Sequence, residues 1–337
     1  MDILIKSFNR PYYLDRCLQS IYLNCSKADF KIKILDDGTP QKYLDKIQEK
    51  YPDVEILKSE FYRLKSENCA LGLSPETMQI PINLWLESAK NASEYFLLLE
   101  DDVWFTRKVD VNVVYKAAKT DALSMLKLHW LGNESFIESK SSQKKEFYTL
   151  YEPNLYTKSV FLYSIAFHRF SRLKFRKFFK FLGIYSNERF LNYYSIYAVA
   201  GVVFNKNYFI SLWKNHKNTV DEGLQIANAV AYISQNKNAF AHSNNEVLKT
   251  GFLSSATNQF KEHFEVTIDM FLFNKTINEV WFNGKLDVME NYPKDLANDL
   301  FLTILDKENN PKIKTVDWEK WVSNFKNQYI KLGCIVE

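Results

Sequence analysis

Short apolar runs alternate with amphipathic segments over the first hundred residues. The apolar runs have the length of strands and occur in DILIKSF, FKIKILDDG, DVEILKS and EYFLLLEDD. The segments between them place apolar residues at helical spacing in YYLDRCLQSIYLN, KYLDKIQEKY and PINLWLESAK, while SENCALGLSPETM is typical of a loop. Strands that alternate with helices predict an α/β fold with a mostly parallel sheet and helices on both faces.

The pattern is less regular in the rest of the chain. The polar segment 137–147 predicts a loop, and IYAVAGVVFNKNYFISLW, NTVDEGLQIANAVAYISQ and AFAHS return to strand and helix patterns. Further on, HFEVTIDMFLF and INEVWFNG predict strands, and KDLANDLFLTILDKE and DWEKWVSNFKNQYIKL predict helices. We therefore predict a main domain, 1–258, with halves 1–105 and 106–258, and a small α+β extension, 259–337.

Composition and charge fit a globular protein. The chain has 337 residues, of which 46% are hydrophobic and 25% charged, and its formal net charge is only +4. Four cysteines without a CxxC pair indicate free thiols in a reducing compartment. No stretch approaches the ~18 apolar residues of a membrane span, and the N-terminus predicts a first strand rather than a signal peptide. We therefore expect an intracellular protein.

Acidic residues follow two of the predicted strands. Asp36 and Asp37 end the second strand, and Glu100, Asp101 and Asp102 end the strand EYFLLLE. Ligands of parallel sheets bind where the carboxyl ends of strands meet, and carboxylates are the oxygen ligands that Mg²⁺ and Mn²⁺ prefer. An ordinary Asp-Gly turn at the first position and a solvated turn at the second are the structural alternatives.

Four segments in this order resemble the nucleotide-sugar-binding half of a family 2-like glycosyltransferase with the GT-A fold. They are ILIKSFNRPYYLDRCLQSI, KILDDGTP, SENCALGL and EYFLLLEDDV, which together cover roughly residues 2–105. The resemblance implies a Rossmann-like GT-A domain and a metal-dependent, inverting enzyme. Its donor would be a nucleotide-diphosphate sugar, with UDP favoured. Its acceptor would be a glycan or lipid-linked glycan, as in the synthesis of bacterial capsule or lipooligosaccharide.

The same resemblance implies a nucleotide pocket at the first two strand ends. Asp37 would bind the base, and Ser7 and Asn9 would line the same pocket. Lys6 departs from the family pattern, which favours a small hydroxyl residue there. We include Lys6 among the donor-binding residues, because a lysine could contact a phosphate or exclude one nucleotide.

A metal-diphosphate site is implied at the third strand end. Asp101 would approach the donor ribose, and Asp102 would bind the Mn²⁺ or Mg²⁺ that bridges the phosphates. The family often adds a histidine after a later strand, and His242 in AFAHSNN occupies that place. A lone histidine is also commonly structural, so both interpretations of His242 stay open.

A catalytic base is implied in the second half of the chain. TVDEGLQIANAV resembles the helix start that carries the base in inverting members, which puts the base at Asp221. The alternative is a capping box from Thr219 to Glu222, with acids that suit the helix dipole. For Glu222 we favour the capping role.

Residues 167–183 form a basic aromatic segment. It contains six Lys or Arg, six Phe and no acid, and most of its Phe and basic residues fall on opposite faces of a helix. The segment could pack on the core, bind an anionic membrane surface or contact nucleic acid. No nucleic-acid recognition motif accompanies it, so we expect no nucleic-acid partner. We expect a cytoplasmic protein that can bind the inner face of the membrane through this segment.

Two other functions fit parts of the pattern. A nucleotidyltransferase uses a similar sheet and acidic metal site but needs a glycine-rich loop after the first strand, and SFNRPYY has no glycine. A non-catalytic module that binds sugar nucleotides or glycans would need no metal at residues 100–102.

Overall fold

The fold is described from a computed structural model that covers residues 1–26, 30–128, 139–168, 176–237 and 239–336. The strands are β1 (Asp2–Ser7), β2 (Ile32–Asp36), β3 (Glu55–Lys58), β4 (Tyr95–Glu100), β5 (Val103–Phe105), β6 (Leu123–Lys127), β7 (Ser139–Lys144), β8 (Tyr148–Pro153), β9 (Val202–Asn205), β10 (Ala239–Ser243) and β11 (Leu248–Thr250). The helices are α1 (Pro11–Asn24), α2 (Gln41–Lys50), α3 (Tyr62–Leu71), α4 (Ile82–Lys90), α5 (Val111–Thr120), α6 (Val160–Tyr163), α7 (Arg176–Phe181), α8 (Asn187–Leu191), α9 (Lys206–Leu212), α10 (Glu222–Gln235), α11 (Met270–Phe282), α12 (Asn298–Glu308) and α13 (Thr315–Ile330). A π-helical turn (Ser164–His168) and a 3₁₀ turn (Asn192–Ile196) complete the regular structure.

One large sheet organises the molecule. Its strand order is β3-β2-β1-β4-β9-β6-β10-β8-β7, while β5 and β11 pair separately. Only β9 and β8 run against the common direction among the described strands of this sheet. The predicted α/β class and mostly parallel sheet are therefore confirmed, and β1, β2 and β4 end side by side.

The sheet separates two hydrophobic cores. Ile3, Ile5 and Leu97 face a core that also contains α1, whereas Leu4 and Phe96 face the opposite core. This division follows from the alternation of side chains along a strand. Because both faces are covered, β1 and β4 are continuously apolar up to the polar residues at their carboxyl ends.

The prediction of strands after residue 259 is wrong. HFEVTIDMFLF and INEVWFNG overlap a single helix, α11, and no strand occurs between residues 259 and 336. Asp269 begins this helix by accepting a hydrogen bond from the backbone N–H of Phe271 at 3.0 Å. Helix α11 buries one face, but that face includes Asn274 and Asn278, which interrupt the apolar pattern. Its β-branched and aromatic residues therefore imitate a strand.

Helices α11 to α13 are part of the main core rather than a separate lobe. Trp281, Phe301, Trp318 and Trp321 belong to the same buried cluster as Ile3 of the first strand. The predicted extension is therefore helical, and its buried side chains share one core with those of the first strand. The proposed division at residue 258 stays a prediction.

Two predicted loops contain regular structure. The segment SENCAL belongs to α3, which ends at Gly72 in the left-handed conformation. The polar segment 137–147 contains β7, an edge strand whose residues are all exposed. Polar composition was a misleading signal at β7, because an edge strand without a buried face needs no apolar residues.

Candidate active site

The carboxyl ends of β1 and β4 bring opposite charges together. Lys6 and Glu100 are partners in the parallel register of these strands, and the Lys6 Nζ lies 2.7 Å from the Glu100 Oε1. Ser7 pairs with Asp36 of β2 on the other side. Adjacent parallel strands therefore place the predicted residues of β1, β2 and β4 at one edge, as the sequence predicts.

Arg10 neutralises much of the charge of the acids that follow β4. Its Nη2 lies 2.5 Å from the Asp101 Oδ1, and its Nη1 lies 2.7 Å from the Asp102 Oδ2. The backbone N–H of Phe8 donates a further hydrogen bond to Asp101 at 3.1 Å. Burial raises the pKa of Asp101 and of Asp102, while Arg10 opposes that shift. Burial lowers the pKa of Arg10, but the two carboxylates outweigh burial and keep the guanidinium charged.

One oxygen of Asp102 is left without a partner. The Asp102 Oδ1 is buried and accepts no hydrogen bond, whereas the other carboxylate oxygen binds Arg10. A buried carboxylate oxygen without a partner is costly, and it is also a suitable ligand for Mg²⁺ or Mn²⁺. The described residues contain no cluster of three or more His, Cys, Asp or Glu able to hold a metal. Asp102 fits a metal that takes most of its ligands from a diphosphate and water.

Asp37 and its neighbour Asp36 have different roles at the end of β2. Asp36 forms the Asp-Gly turn and accepts hydrogen bonds from the backbone N–H groups of Gly38 and Thr39 at 3.0 and 2.8 Å. Asp37 instead binds the Lys65 Nζ at 2.5 Å and lines a cavity. The turn interpretation therefore applies to Asp36, and Asp37 is left for a ligand pocket.

Gly38 allows the turn after β2 to pass close to Lys65. Its φ of 149° favours glycine, and a Cβ there would lie 2.5 Å from the Cβ of Lys65. Lys65 is only 2% exposed, and its ammonium also donates to the Gln79 carbonyl at 2.5 Å. Burial raises the pKa of Asp37, and Lys65 partly offsets that shift.

Four of the five predicted donor-binding residues line one cavity of about 170 Å³: Lys6, Ser7, Asp37 and Asp101. Asn9 does not line it. Asn9 is fully buried in a left-handed conformation, with φ 56°, and contacts Asn278 of α11 at 3.2 Å. Its backbone N–H donates to Thr39 at 2.9 Å. Asn9 therefore lies outside the lining of this cavity, and its place in the nucleotide pocket stays a prediction.

Three cavities meet at Glu100. The cavity that Asp37 lines shares Lys6, Trp85 and Glu100 with a second cavity of about 210 Å³. A third, of about 150 Å³, joins Glu100 and Asp102 to Tyr329 of α13. A larger cavity of about 550 Å³ lies at the β7–β8 edge and contains none of the predicted residues. The acids therefore lie at a junction suited to a ligand with several parts.

Asp221 caps a helix. It precedes α10 and accepts a hydrogen bond from the Leu224 backbone N–H at 3.1 Å, so Thr219 is not the cap. The His168 Nε2 lies 3.2 Å from the Asp221 carboxylate. This close approach requires Gly223, because a Cβ there would lie 2.3 Å from the His168 ring. The structure therefore favours the capping interpretation over a base at Asp221.

Glu222 follows Asp221 at the start of α10 and contacts a tyrosine. It accepts a hydrogen bond from the Tyr194 hydroxyl at 2.7 Å. Burial raises the pKa of Tyr329 to about 12, and the charges of Asp102, Glu100 and Glu222 contribute to that shift. The charges of all three carboxylates therefore act on Tyr329, which lines the cavity that contains Glu100 and Asp102.

His242 is not near Asp102. It lies within β10, and its ring contacts Tyr151 with centroids 5.7 Å apart. The sheet order puts β10 three strands from β4, which corresponds to about 14 Å at the usual strand spacing. The structure therefore does not bring the two predicted metal ligands together.

The basic segment 167–183 is described only in part, because 169–175 lie outside the described residues. Phe167 is buried and packs in the core, so it does not share a face with the exposed Phe178 and Phe181. Within the described residues, no helix combines the length and the apolar character needed to cross a bilayer.

Arg10 and Lys65 have roles in the site that their local sequence does not indicate. Arg10 follows Asn9 in the motif SFNR, so its presence was visible but its partners, more than ninety residues later, were not. Lys65 lies close to a segment that was predicted to be a loop, and its partner Asp37 is 28 residues away. Trp85 is one of the apolar residues of a predicted helix, and its sequence position does not indicate that it lines two cavities.

No protein-family model matches the chain, and no curated protein matches it significantly. Among solved structures, residues 1–349 of S. aureus TarS in complex with UDP are similar, with 13% identity, 91% of this chain and 71% of that chain covered, and a TM-score of 0.41. A longer S. aureus TarS chain is 12% identical, with 98% of this chain and 48% of that chain covered, and a TM-score of 0.40. The galactosyltransferase LgtC, in complex with donor and acceptor sugar analogues, is 12% identical, with 68% and 70% covered and a TM-score of 0.33.

Proposed function

We propose that the protein is a GT-A glycosyltransferase that transfers a sugar from a UDP-sugar to a hydroxyl of a glycan acceptor. The observation that carries the proposal is the acid corner after β4. There Asp102 keeps a buried, unpartnered carboxylate oxygen beside the Arg10–Asp101 pair and next to the cavity that Asp37 lines. A nucleotide, a diphosphate and a sugar need such a row of adjoining pockets.

The nucleotide base would bind at Asp37 and Lys65. A carboxylate accepts a hydrogen bond from the imide N–H of uracil, and an ammonium donates to its carbonyl oxygen. Both groups are held rigidly, since Ser59 donates to Asp37 at 2.6 Å and Lys65 also binds Gln79. The pair therefore suits the adjacent N–H and C=O groups of uracil, which adenine and cytosine do not present.

Asp102 would hold a divalent cation, Mn²⁺ or Mg²⁺, with Asp101 kept in place by Arg10. When bound, the cation stabilises the negative charge of the diphosphate leaving group. Lys6, paired with Glu100, lies between the nucleotide cavity and the next one. Lys6 would thus orient the donor close to the bond that breaks.

Glu222 would accept the proton of the acceptor hydroxyl. The oxygen of the acceptor hydroxyl would attack the anomeric carbon of the donor sugar. The bond between that carbon and the diphosphate oxygen would break, and the hydroxyl proton would pass to the Glu222 carboxylate. This single displacement inverts the anomeric configuration. The Tyr194 hydroxyl orients Glu222, whereas Asp221, the base implied by the sequence, is engaged by the helix start and His168.

Hydrolysis of UDP-sugars, with water as the acceptor, tests this proposal. We expect Glu222→Gln to lower the rate by ~10²-fold or more, because it removes general-base catalysis, while UDP binding is retained. Asp221→Asn is the matched neighbour and should keep most activity. Equal losses in both variants, or none in Glu222→Gln, would place the base elsewhere.

We also propose that an exposed surface around α7 binds an anionic membrane, where a lipid-linked acceptor would lie. Phe178 and Phe181 of α7 are 54% and 88% exposed, and Lys177 and Lys180 beside them are exposed as well. Arg189 contacts both the exposed Tyr156 ring and the carbonyl of Gly183, just after α7, so a further exposed aromatic residue lies beside this helix. Exposed Phe with adjacent Lys is typical of interfacial helices.

A further inference from the structure

A second cavity, of about 210 Å³, adjoins the nucleotide cavity and shares Lys6, Trp85 and Glu100 with it. Its remaining walls are mostly aromatic and aliphatic, and they include Tyr197, Phe209, Leu212, Trp213 and Val220. The rings of Trp85 and Trp213 meet edge to face, with centroids 5.2 Å apart. A sugar that extends from a diphosphate near Asp101 would enter this cavity.

Two hydrogen-bond donors of this cavity's walls are unused. The Gln225 Nε2 and the Trp85 Nε1 are both buried without a partner, and Gln225 is only 1% exposed. The Gln225 amide is oriented by the Tyr197 hydroxyl, which donates to its Oε1. A buried donor without an acceptor costs about 1–3 kcal/mol, so such groups usually have a partner in the functional state.

The charged residues that line the cavity favour a neutral group over a phosphate. Its two charged residues, Lys6 and Glu100, neutralise each other at 2.7 Å. Glu100 uses its Oε1 for Lys6, and its second oxygen can accept a hydrogen bond. The cavity therefore offers two N–H donors, one carboxylate acceptor and an apolar wall to a neutral group.

We propose that this cavity binds the acylamino group of the donor sugar, an inference that rests on the proposed function. The carbonyl oxygen of that group would accept hydrogen bonds from Gln225 and Trp85, and its N–H would donate to Glu100. Its methyl group would contact the apolar wall at Phe209 and Leu212. A donor sugar with a hydroxyl in place of the acylamino group would leave at least one of the two N–H donors without an acceptor. It would also leave the apolar wall in contact with water.

Calorimetric titration of the whole chain with UDP, UDP-glucose and UDP-N-acetylglucosamine in the presence of Mn²⁺ tests this inference. We expect UDP-N-acetylglucosamine to bind about tenfold or more tightly than UDP-glucose. Trp85→Phe keeps the ring and removes one N–H, and Gln225→Leu removes the amide. Each variant should reduce the preference to about threefold or less. Gln225 does not line the cavity around Asp37, so Gln225→Leu should also leave the affinity for UDP unchanged. Gln235→Leu, an exposed glutamine at the end of the same helix, should keep the full preference.

The outcomes separate this inference from the proposed function. If UDP and both sugars bind equally, or the preference survives in both variants, the acylamino site is overturned while the glycosyltransferase proposal stands. If neither UDP nor the UDP-sugars bind, the proposed function fails and the inference fails with it.

Discussion

Lys6 and Arg10 determine how much charge the acid corner carries. Glu100, Asp101 and Asp102 contribute three negative charges, and the two cations in direct contact leave one. Like charges at such short range would otherwise repel strongly in a poorly solvated site. A diphosphate would add further negative charge, so its binding calls for another cation. The unpartnered oxygen of Asp102 is where that cation can bind.

The raised pKa of Asp36 predicts that the stability of the fold depends on pH. Burial raises its pKa to about 6, although Thr39 and the backbone of Gly38 oppose the shift. The folded state therefore binds this proton more tightly than the unfolded state does, and stability falls as pH rises from about 4 to about 6. We expect Asp36→Asn to remove this contribution, which is about 3 kcal/mol at most.

Urea denaturation at pH 4.5 and pH 7 measures the effect in both proteins. The free energy of unfolding of the wild type should fall between these pH values by more than that of Asp36→Asn. The same fall in both proteins would mean that Asp36 is ionised in the fold at pH 4.5. Asp45→Asn, at an exposed position of α2, is the control.

The elements that carry the predicted nucleotide site could be read from the sequence because their signals are local. Strands β1, β2 and β4 are apolar runs that end in polar residues, and α1 has clear helical spacing. Helix α11 could not be read because two asparagines interrupt the apolar pattern of its buried face, and strand β7 could not be read because it has no buried face. Contacts such as Lys65 with Asp37 depend on how distant segments pack, which local patterns do not encode.

Helix α7 carries the membrane prediction. We expect the double change Phe178→Ser and Phe181→Ser to lower binding to vesicles containing phosphatidylglycerol about tenfold or more, because two exposed aromatic anchors are lost. Vesicle sedimentation measures this. Val113→Ser, at an exposed apolar position of α5, is the control. Unchanged sedimentation of the double variant would contradict the proposal that α7 binds a membrane.

The C-terminal helices complete the molecule and one of its cavities. Trp318 of α13 is 1% exposed, stacks on Phe301 with centroids 5.7 Å apart, and donates from its indole N–H to the Leu253 carbonyl at 2.9 Å. Tyr329, on the same helix, lines the cavity that contains Asp102. Arg16 of α1 is fully buried and donates to the carbonyls of Val288 and Lys294. The fold and the site therefore depend on these helices together.

We expect Trp318→Ala to lower the free energy of unfolding of the whole chain by about 3–5 kcal/mol, because it leaves a large cavity in the shared core. Urea denaturation followed by far-UV circular dichroism measures this. Val316→Ala, at an exposed position of the same helix, should have little effect. A separate early transition with an unchanged main transition would show instead that these helices fold as an independent unit.

Calorimetric titration with UDP, with and without Mn²⁺, tests the central claim most directly. For the wild type we predict that Mn²⁺ strengthens UDP binding about tenfold or more, since Asp102 and the diphosphate would share the cation. Asp102→Asn should lose that gain and keep the weaker metal-free binding, while Asp45→Asn behaves as the wild type. No UDP binding by the wild type, or an Mn²⁺ effect that persists in Asp102→Asn, would contradict the proposed site.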